Sequence, residues 1–184
     1  MRFEAIAATS QIASPLGLVT LAATGHGLAG VWFQGQRHHP DAAPWPSHAD
    51  HPVLRAAARQ LDQFFAGQRR RFDLPLDLLC GTPFQQSVWH ALLQLAPGST
   101  SSYGAIGRSI GRPRAVRAVG AAVGRNPISI IVPCHRVLGA DGSLTGYAGG
   151  LQRKAALLAL ESGQPLAPMC GPTQRCAAAP TIAA

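Results

Sequence analysis

The order of apolar and polar residues predicts a β-hairpin near the start of the chain. Two runs rich in apolar residues, at 16–21 and 28–33, are separated by Gly25 and Gly27. This pattern favours two antiparallel strands joined by a turn. Residues 34–50, which are rich in proline, histidine and aspartate, are predicted to form a loop.

An amphipathic helix and one more strand are predicted next. His51 and Pro52 have the form of a helix start, and the helix is expected to end near Gly67. Its apolar residues recur at helical spacing: Val53, Leu54, Ala57, Leu61, Phe64 and Phe65. The alternation at 72–78 predicts a further strand, which Pro75 would confine to a sheet edge because proline has no N–H to donate.

Thr82 and Pro83 mark the boundary between two predicted domains. Threonine is a good N-cap and proline suits the first helical position, so a helix begins here. The expected fold class is therefore a small α/β domain at 1–80 followed by a mostly α-helical domain at 81–163. The tail at 164–184 is rich in proline and alanine and is expected to be disordered.

The helices of the second domain are predicted to be short. The first ends at residues 97–98, and its buried stripe comprises Phe84, Val88, Trp89, Leu92, Leu93 and Leu95. The next helix, at about 103–110, is capped by Ser101 or Ser102, and Pro113 starts another after a glycine-containing turn. Two short helices joined in this way resemble a helix-turn-helix.

The second helix of this motif is predicted to have a cationic but otherwise flat outer face. On a helical wheel, its apolar face comprises Val116, Val119 and Val123. The opposite face comprises Arg114, Arg117, Ala118 and Ala121. Alanines let a helix backbone approach DNA closely while arginines reach phosphates or the base stack. Taken alone, the pattern also fits an ordinary solvated helix face.

The net charge of +8 is concentrated in one part of the 184-residue chain. Residues 101–160 contain eight Arg or Lys residues against one Asp, a balance of +7. A basic patch in one region is expected of a protein that binds a phosphate backbone, although an arginine-rich genome composition is an alternative. No run approaches the roughly 20 apolar residues of a membrane span, and residues 12–24 lack the features of a signal peptide. We expect a cytoplasmic protein with no membrane partner.

The four cysteines show the spacing of neither a zinc site nor a disulfide framework. They are Cys80, Cys134, Cys170 and Cys176, and no two are separated by two residues. We therefore expect no metal. Cytoplasmic thiols stay reduced, so at least one is free to react, and the two in the tail are interpreted as incidental.

Cys134 follows a predicted core segment directly. Residues 129–132 are mostly apolar, which predicts a buried strand or extended segment, and Pro133 ends it. The thiol is thereby set at the mouth of a core element. The alternative for a lone cysteine after an apolar run is a buried and inert thiol.

A base and a carboxylate are available to this thiol. His135 is adjacent, and the positive charge of Arg136 is expected to raise the thiolate fraction. Glu161 closes the predicted helix at 151–160 and is expected to orient the imidazole, which gives a Cys134, His135 and Glu161 array. In isolation, Glu161 also fits a plain carboxylate at a helix end.

Three sequence strings resemble the signature of one enzyme family. They are Arg117-Ala-Val-Gly-Ala-Ala-Val-Gly-Arg-Asn-Pro127, Ile131-Val-Pro-Cys-His-Arg-Val137 and Leu144-Thr-Gly-Tyr-Ala-Gly-Gly-Leu151. Together they look like the O6-alkylguanine-DNA alkyltransferases, also called methylated-DNA–protein-cysteine methyltransferases. The resemblance covers residues 82–163 without a gap. Over the first 80 residues the match is one of architecture, since the family carries an N-terminal α/β domain of ribonuclease-H-like fold.

The resemblance implies a role for each residue of the site. Cys134 would accept the alkyl group, His135 would be its water-relayed base, and Glu161 would orient that base. Arg117 would enter the duplex and fill the space of the extruded nucleotide, because O6 of a stacked guanine is out of reach. Tyr103 would assist this flipping and donate a hydrogen bond or proton to the leaving guanine, although a core aromatic is the alternative.

The pocket and the DNA-binding surface are implied in the same way. Asn126 would brace the turn before the reactive segment, whereas its alternative is a helix stop before proline. The substrate-binding residues would be Asn126, Val137, Tyr147, Ala148, Gly149 and Gly150. The DNA-binding residues would be Arg114, Arg117, Ala118, Ala121, Arg125 and Arg136. Ala148 stands where some members have serine, which leaves the pocket without that hydroxyl.

The implied reaction is an in-line displacement at an alkyl carbon, with the thiolate entering and guanine leaving. It needs no cofactor, and one event per molecule follows because a thioether has no facile reverse step. The expected partner is double-stranded DNA containing O6-alkylguanine, with O4-alkylthymine as a further candidate lesion. A monomer is expected.

Three other classes of protein fit parts of the pattern. An alkyltransferase-like damage-binding protein is the main alternative, but that branch lacks the acceptor cysteine and Cys134 is present. A fused repair and transcription regulator carries an additional metal-bearing domain for which this chain has no room. A cysteine hydrolase using Cys134 and His135 would leave Arg117 without a role.

Overall fold

The computed structural model describes Phe3, residues 6–164 and Leu166. The predicted tail, with its two cysteines, lies outside the described residues apart from its first residue and Leu166. The elements are β1 (Ala8–Ile12), β2 (Val19–Thr24), β3 (Gly27–Phe33), α1 (Pro52–Phe65), α2 (Pro83–Leu93), β4 (Ser101–Ser102), α3 (Tyr103–Ser109), α4 (Val116–Gly124), a 3₁₀ helix (Cys134–Arg136), β5 (Val137–Leu138) and α5 (Leu151–Glu161).

The first domain is built on a three-stranded antiparallel sheet in the order β1-β2-β3. The predicted hairpin is confirmed as β2–β3, with Thr24 paired to Gly27 at its turn. The φ of Gly27 is +151°, and a Cβ there would lie 2.4 Å from the carbonyl oxygen of Pro75, so only glycine fits. β1 is an additional strand that the sequence pattern did not distinguish.

The amphipathic helix is confirmed as α1, which packs its apolar face against the sheet. The buried side chains of that face include Leu54, Ala57, Leu61 and Phe64. The helix begins at Pro52, where the missing N–H costs nothing because the first helical N–H groups have no partner within the helix. It covers one face of the first domain's core.

The strand predicted at 72–78 is wrong. This segment makes only a single parallel bridge, between Leu28 and Leu76. Pro75 has no N–H to donate, and the carboxylate of Asp77 accepts the N–H of Leu79 over 3.0 Å, so the ladder does not continue. The segment nevertheless covers part of the free edge of β3.

The second domain is mostly helical, as predicted. Thr82 caps α2 through a capping box in which its side chain accepts from the N–H of Gln85 and the Gln85 side chain accepts from the N–H of Thr82. The side chain of Ser102 caps α3 in a similar way by accepting from the N–H of Ala105. β4 and β5 form a two-residue parallel pair that places α3 next to the reactive segment.

The helix-turn-helix is present as α3, a turn and α4, but its second helix begins later than predicted. α4 starts at Val116, not at Pro113, because the chain first makes a turn in which the N–H of Ala115 donates to Arg112. The shift leaves the Val116 side chain 42% exposed, so its predicted place in the core is wrong. The buried face of α4 is formed by Val119, Ala122 and Val123.

The two domains share backbone hydrogen bonds at the free edge of β3. The N–H of Val31 donates to Pro127 over 3.0 Å, and the carbonyl of Val31 accepts from Ser129 over 3.0 Å. The segment that leads to Cys134 is therefore fastened to the sheet of the first domain. Within the described part of the chain, no helix is both long and apolar enough to cross a membrane.

Candidate functional site

The segment before Cys134 is a series of tight turns. Residues 129–132 are buried as expected, but the predicted strand or extended conformation is wrong. The N–H of Ile131 donates to Ser129 over 2.8 Å, which closes a three-residue turn around Ile130 at a φ of 71°. A β-branched residue rarely adopts this left-handed conformation, so the turn is strained and is held by its surroundings.

Pro133 makes a second turn of this size. Its φ is −81° and its ψ is 60°, and the N–H of Cys134 donates across it to Val132 over 2.8 Å. The chain then enters the 3₁₀ helix at Cys134–Arg136. These two turns place the thiol at the start of a short helix inside the core, where it is 3% exposed.

Asn126 holds this arrangement together through one buried amide. Its Nδ2 donates to the carbonyl of Val132 over 2.8 Å and to Sγ of Cys134 over 3.0 Å. Its Oδ1 accepts from the N–H of Ile128 over 3.0 Å. The side chain thus connects the end of α4 to Sγ of Cys134. This is the position expected of a residue that stabilises the turn.

The environment of Cys134 favours the protonated thiol at neutral pH. Burial raises its pKa to about 11, although the Asn126 hydrogen bond and the positive charge of Lys154 act in the opposite direction. The expectation that Arg136 activates the thiol is wrong, because its charge is paired with Glu161. A separate proton acceptor is therefore needed before Cys134 can act as a nucleophile.

His135 and Glu161 form a buried pair behind the cysteine. Nε2 of His135 donates to Oε1 of Glu161 over 3.0 Å, and burial lowers the pKa of the imidazole. Burial alone would raise the pKa of Glu161, but hydrogen bonds from His135 and Arg136 bring it to about 2. The carboxylate therefore keeps the proton on Nε2, and Nδ1 is left with the lone pair of a base. Nδ1 is buried and has no hydrogen-bond partner among the described residues.

Arg136 does not belong to a DNA-facing surface. Its guanidinium donates to both oxygens of Glu161, over 2.7 to 3.2 Å, and to the carbonyl of Leu95 over 2.7 Å. Only 7% of its side chain is exposed. Its predicted role as a DNA contact is wrong because this ion pair holds it inside the protein.

A cleft of about 660 Å³ lies between α4 and the loop before α5. Its lining residues include Tyr103, Gly120, Ala121, Tyr147, Ala148 and Gly150. The hydroxyl of Tyr103 reaches the carbonyls of Thr145 and Gly146, over 3.3 and 3.4 Å. Gly149 is buried, and a Cβ there would lie 2.7 Å from the ring of Tyr147. Of the predicted pocket residues, Tyr147, Ala148 and Gly150 line this cleft, whereas Asn126, Val137 and Gly149 are not among its lining residues.

The hydroxyl of Tyr147, a residue of this loop, is buried. It has no hydrogen-bond partner among the described residues. Burial raises the pKa of this phenol well above its usual value, and the nearby Cys134 adds to that rise. Val137 is fully buried, and its carbonyl oxygen accepts a hydrogen bond from Nζ of Lys154.

The outer face of α4 has the character that the sequence predicted. Arg117, Ala118 and Ala121 are exposed on the helix, and Arg125 is exposed directly after it. Arg114 is also exposed but lies in the turn before the helix. The surface combines small side chains with cations, as a helix that approaches a phosphate backbone requires.

Two family models match this chain. The ribonuclease-like domain of 6-O-methylguanine DNA methyltransferase matches residues 9–78, and the DNA-binding domain of the same family matches residues 83–163. The chain belongs to the 6-O-methylguanine DNA methyltransferase family. The predicted fold class, a ribonuclease-like α/β domain followed by a helical DNA-binding domain, is thereby confirmed.

Relatives in this methyltransferase family are similar over most of the chain. The methylated-DNA–protein-cysteine methyltransferase of Mycobacterium tuberculosis is 50% identical over 153 residues, which are 83% of this chain and 91% of the relative. The protein of that name from Haemophilus influenzae is 41% identical over 149 residues, 80% of this chain and 82% of the relative. A crystal structure of the Mycobacterium tuberculosis protein in complex with DNA aligns with a TM-score of 0.80 at 48% identity, covering 86% of this chain and 95% of that one.

The methyltransferase site also contains Lys154, which sequence reasoning placed in the basic patch. Its side chain is fully buried, and Nζ donates to the carbonyls of Val137, over 2.6 Å, and Thr145. Lys154 therefore joins the strand that follows the 3₁₀ helix of Cys134 to the loop before α5, which we call the pocket loop (residues 145–150). Helical spacing would have found it, because Lys154 lies three and seven residues before Leu157 and Glu161 on one buried face of α5.

A second missed residue is Arg153, which joins the two domains of the methyltransferase. Its guanidinium donates to the carbonyl of Leu16 over 2.9 Å and to that of Gly149 over 3.1 Å. It also lies 4.7 Å from the centre of the Phe33 ring, a cation–π geometry. The pocket loop is thus tied to the first domain, a long-range contact for which the sequence carries no local signal.

Proposed function

We propose that this protein repairs DNA by moving an alkyl group from O6 of guanine in duplex DNA onto Sγ of its own Cys134. The observation that carries the proposal is the hydrogen-bonded array around Cys134. In it, Asn126 donates to the sulfur, and Glu161 fixes the tautomer of His135. A buried, protonated thiol beside an unpaired imidazole nitrogen suits a nucleophile that is activated only when substrate binds.

The chemical step begins with the removal of the thiol proton. The proton leaves Sγ through a water molecule to Nδ1 of His135, and Glu161 stabilises the imidazolium that forms. The thiolate attacks the alkyl carbon while the bond from that carbon to O6 breaks. The electron pair of this bond stays on the guanine, which takes a proton or hydrogen bond from Tyr103. The product is a thioether on Cys134.

Recognition of the lesion requires its nucleotide to leave the base stack. Cys134 is 3% exposed and cannot reach an intact duplex. Arg117, exposed on α4, enters the duplex and occupies the space of the flipped nucleotide. The flipped base is received between Tyr103 and the loop that contains Tyr147, Ala148, Gly149 and Gly150. The alanines at 118 and 121 let the helix approach the backbone closely.

The same proposal assigns the parts of the chain. Residues 81–163 contain the reactive site and the DNA-reading helix, and residues 1–80 support the segment before Cys134 through β3. The protein acts as a monomer in the cytoplasm. The thioether ends its activity, so each molecule repairs one lesion.

The deciding experiment is intact-protein mass spectrometry after incubation with a duplex that contains O6-methylguanine, followed by peptide mapping. We expect the mass of one methyl group on Cys134, at a stoichiometry that does not exceed one. The variant Cys134→Ala is the matched control and should gain no mass while still binding the lesion. Tight lesion binding by the natural protein without any mass gain would instead support the damage-binding alternative.

A further inference from the structure

The first domain contributes directly to the cleft that faces the proposed DNA surface. The loop after β3 brings Arg37 and His38 into its lining, opposite Tyr103 and Arg125 of the second domain. The backbone N–H of Arg37 donates to the carbonyl of Ala148 over 2.9 Å. This loop therefore lies against the pocket loop itself and is more than a distant support.

The conformation of this loop is specific. The φ of His38 is 62°, a left-handed value that residues other than glycine seldom adopt. Hydrogen bonds hold the backbone on both sides of His38. Before it, the N–H of Arg37 donates to the carbonyl of Ala148, and after it, the N–H of His39 donates to the carbonyl of Gln36 over 3.3 Å. Such a conformation persists only where neighbouring contacts impose it, and it presents the imidazole at the cleft.

Two arginines and a histidine consequently meet at the cleft without a counter-charge. Arg37, His38 and Arg125 are all exposed, and none has a side-chain hydrogen bond or an ion pair within the described part of the chain. The cleft lining contains no Asp or Glu; its other titratable groups are Tyr103 and Tyr147. Burial, then Arg125, then Arg37 lower the pKa of His38, so the free protein disfavours the charged imidazole at this place.

The position of this cluster indicates which anion it takes. Gly120, Ala121 and Gly124 of α4 line the same cleft, so a strand backbone that follows the small side chains of this helix passes the cationic side chains. The flipped nucleotide enters the protein at this point. Its flanking phosphate is the negative group that must come closest to the cleft.

We propose that Arg37 and His38 of the first domain, with Arg125 of the second, form a binding site for the DNA phosphate next to the flipped nucleotide. The inference rests on the proposed function, because it takes duplex DNA with a flipped nucleotide as the substrate. It gives the first domain a part in DNA binding, and that part is separate from the chemistry at Cys134.

The test compares the salt dependence of duplex binding by Arg37→Gln with that of the natural protein. Loss of one phosphate contact lowers the slope of log affinity against log salt by about 0.9, which is about fivefold in affinity at 0.15 M salt. The matched control is Arg55→Gln, which removes the same charge from the exposed face of α1 in the same domain. An unchanged slope for Arg37→Gln, or an equal change for Arg55→Gln, would overturn the proposal.

A second measurement isolates His38. A phosphate raises the pKa of the imidazole, so binding takes up a proton and the affinity should fall as the pH rises from about 6 to 8. His38→Asn, which tolerates the left-handed conformation, should remove this pH dependence. Retention of the full pH dependence in His38→Asn would count against the site.

Reaction with free O6-benzylguanine separates this proposal from the proposed function. The free base has no phosphate, so Arg37→Gln should react with it at the natural rate. A loss of the same size on free base and duplex would show that Arg37 acts through the pocket loop and would overturn the phosphate assignment. Failure of the natural protein to take up the benzyl group would count against the proposed function, whereas the binding titrations would still test the phosphate site.

Discussion

Arg136 and Glu161 form a buried ion pair in which the guanidinium donates to both carboxylate oxygens, with a closest approach of 2.7 Å. The same carboxylate accepts from His135 over 3.0 Å and from the N–H of Gly98 over 3.2 Å. One side chain at the end of α5 thus holds the His135 imidazole, the 3₁₀ helix that contains Cys134 and the loop after α2. A substitution of Glu161 is therefore expected to affect both the stability of the fold and the position of the His135 imidazole.

Glu161→Gln should lower the free energy of unfolding by about 3 kcal/mol. The substitution leaves the Arg136 guanidinium buried without its counter-charge, which is costly in a protein interior. The measurement is urea denaturation at pH 7. Adding Arg136→Met to Glu161→Gln should recover much of the loss, because the uncompensated charge is then absent. A single variant as stable as the natural protein would contradict this account.

The same carboxylate predicts how acid affects the fold. Its pKa falls from 4.5 to about 2 on folding, so its contribution to stability is complete above pH 4.5 and is lost as the pH drops from there towards 2. In Glu161→Gln this part of the acid dependence should be missing. Denaturation at several pH values between 2 and 6 measures the difference, and parallel curves for the two proteins would refute the assignment.

Asn126→Ala should slow alkyl transfer to Cys134. The hydrogen bond from Nδ2 to Sγ favours the thiolate, and a bond to a charged group is worth about 1.5–3 kcal/mol. The rate with O6-benzylguanine at pH 7 should therefore fall about tenfold to 100-fold. The measurement is the rate with O6-benzylguanine at pH 7 alongside urea denaturation, and a natural rate in a folded variant would contradict this account.

Local signals were sufficient for most of the elements. Thr82 and Ser102 are caps whose hydrogen bonds close within three residues, so their helices could be placed from the sequence alone. The start of α4 was misplaced because Pro113, a residue that suits a helix start, lies in the preceding turn. Most residues of the candidate site were predicted from the three sequence strings that resemble the family signature.

Long-range contacts explain what the sequence could not provide. The apolar run at 129–132 looks like a strand, but Asn126 and the edge of β3 bend it into turns through hydrogen bonds to Val132 and Ser129. The burial of a charged residue was harder still to predict from the sequence. Arg136 has the same side-chain type as the surface arginines, and only its tertiary pairing with Glu161 shows that it is internal.

Lys154→Met should slow alkyl transfer while changing stability little. The substitution removes the bonds from Nζ to Val137 and Thr145, and with them a positive charge that favours the Cys134 thiolate. The free energy lost with these bonds is offset because an ammonium ion no longer has to be buried. We expect a rate with O6-benzylguanine about tenfold lower, equivalent to about 1.4 kcal/mol. A natural rate in a folded variant would remove Lys154 from the site.

Arg117→Ala should separate the steps of DNA opening and alkyl transfer. Arg117 is exposed on α4 and makes no side-chain hydrogen bond to a described residue, so its removal should leave the fold and the buried array at Cys134 unchanged. Transfer from an O6-methylguanine duplex should fall by at least tenfold, because a flipped nucleotide costs a few kcal/mol that the inserted side chain helps to offset. Reaction with free O6-benzylguanine should keep its natural rate, since that substrate needs no flipping. Arg55→Ala, which removes the same charge from the exposed face of α1, is the matched control and should react normally with both substrates. Equal losses of Arg117→Ala on duplex and free base would mean that the residue acts on the site itself, and the finger assignment would have to be abandoned.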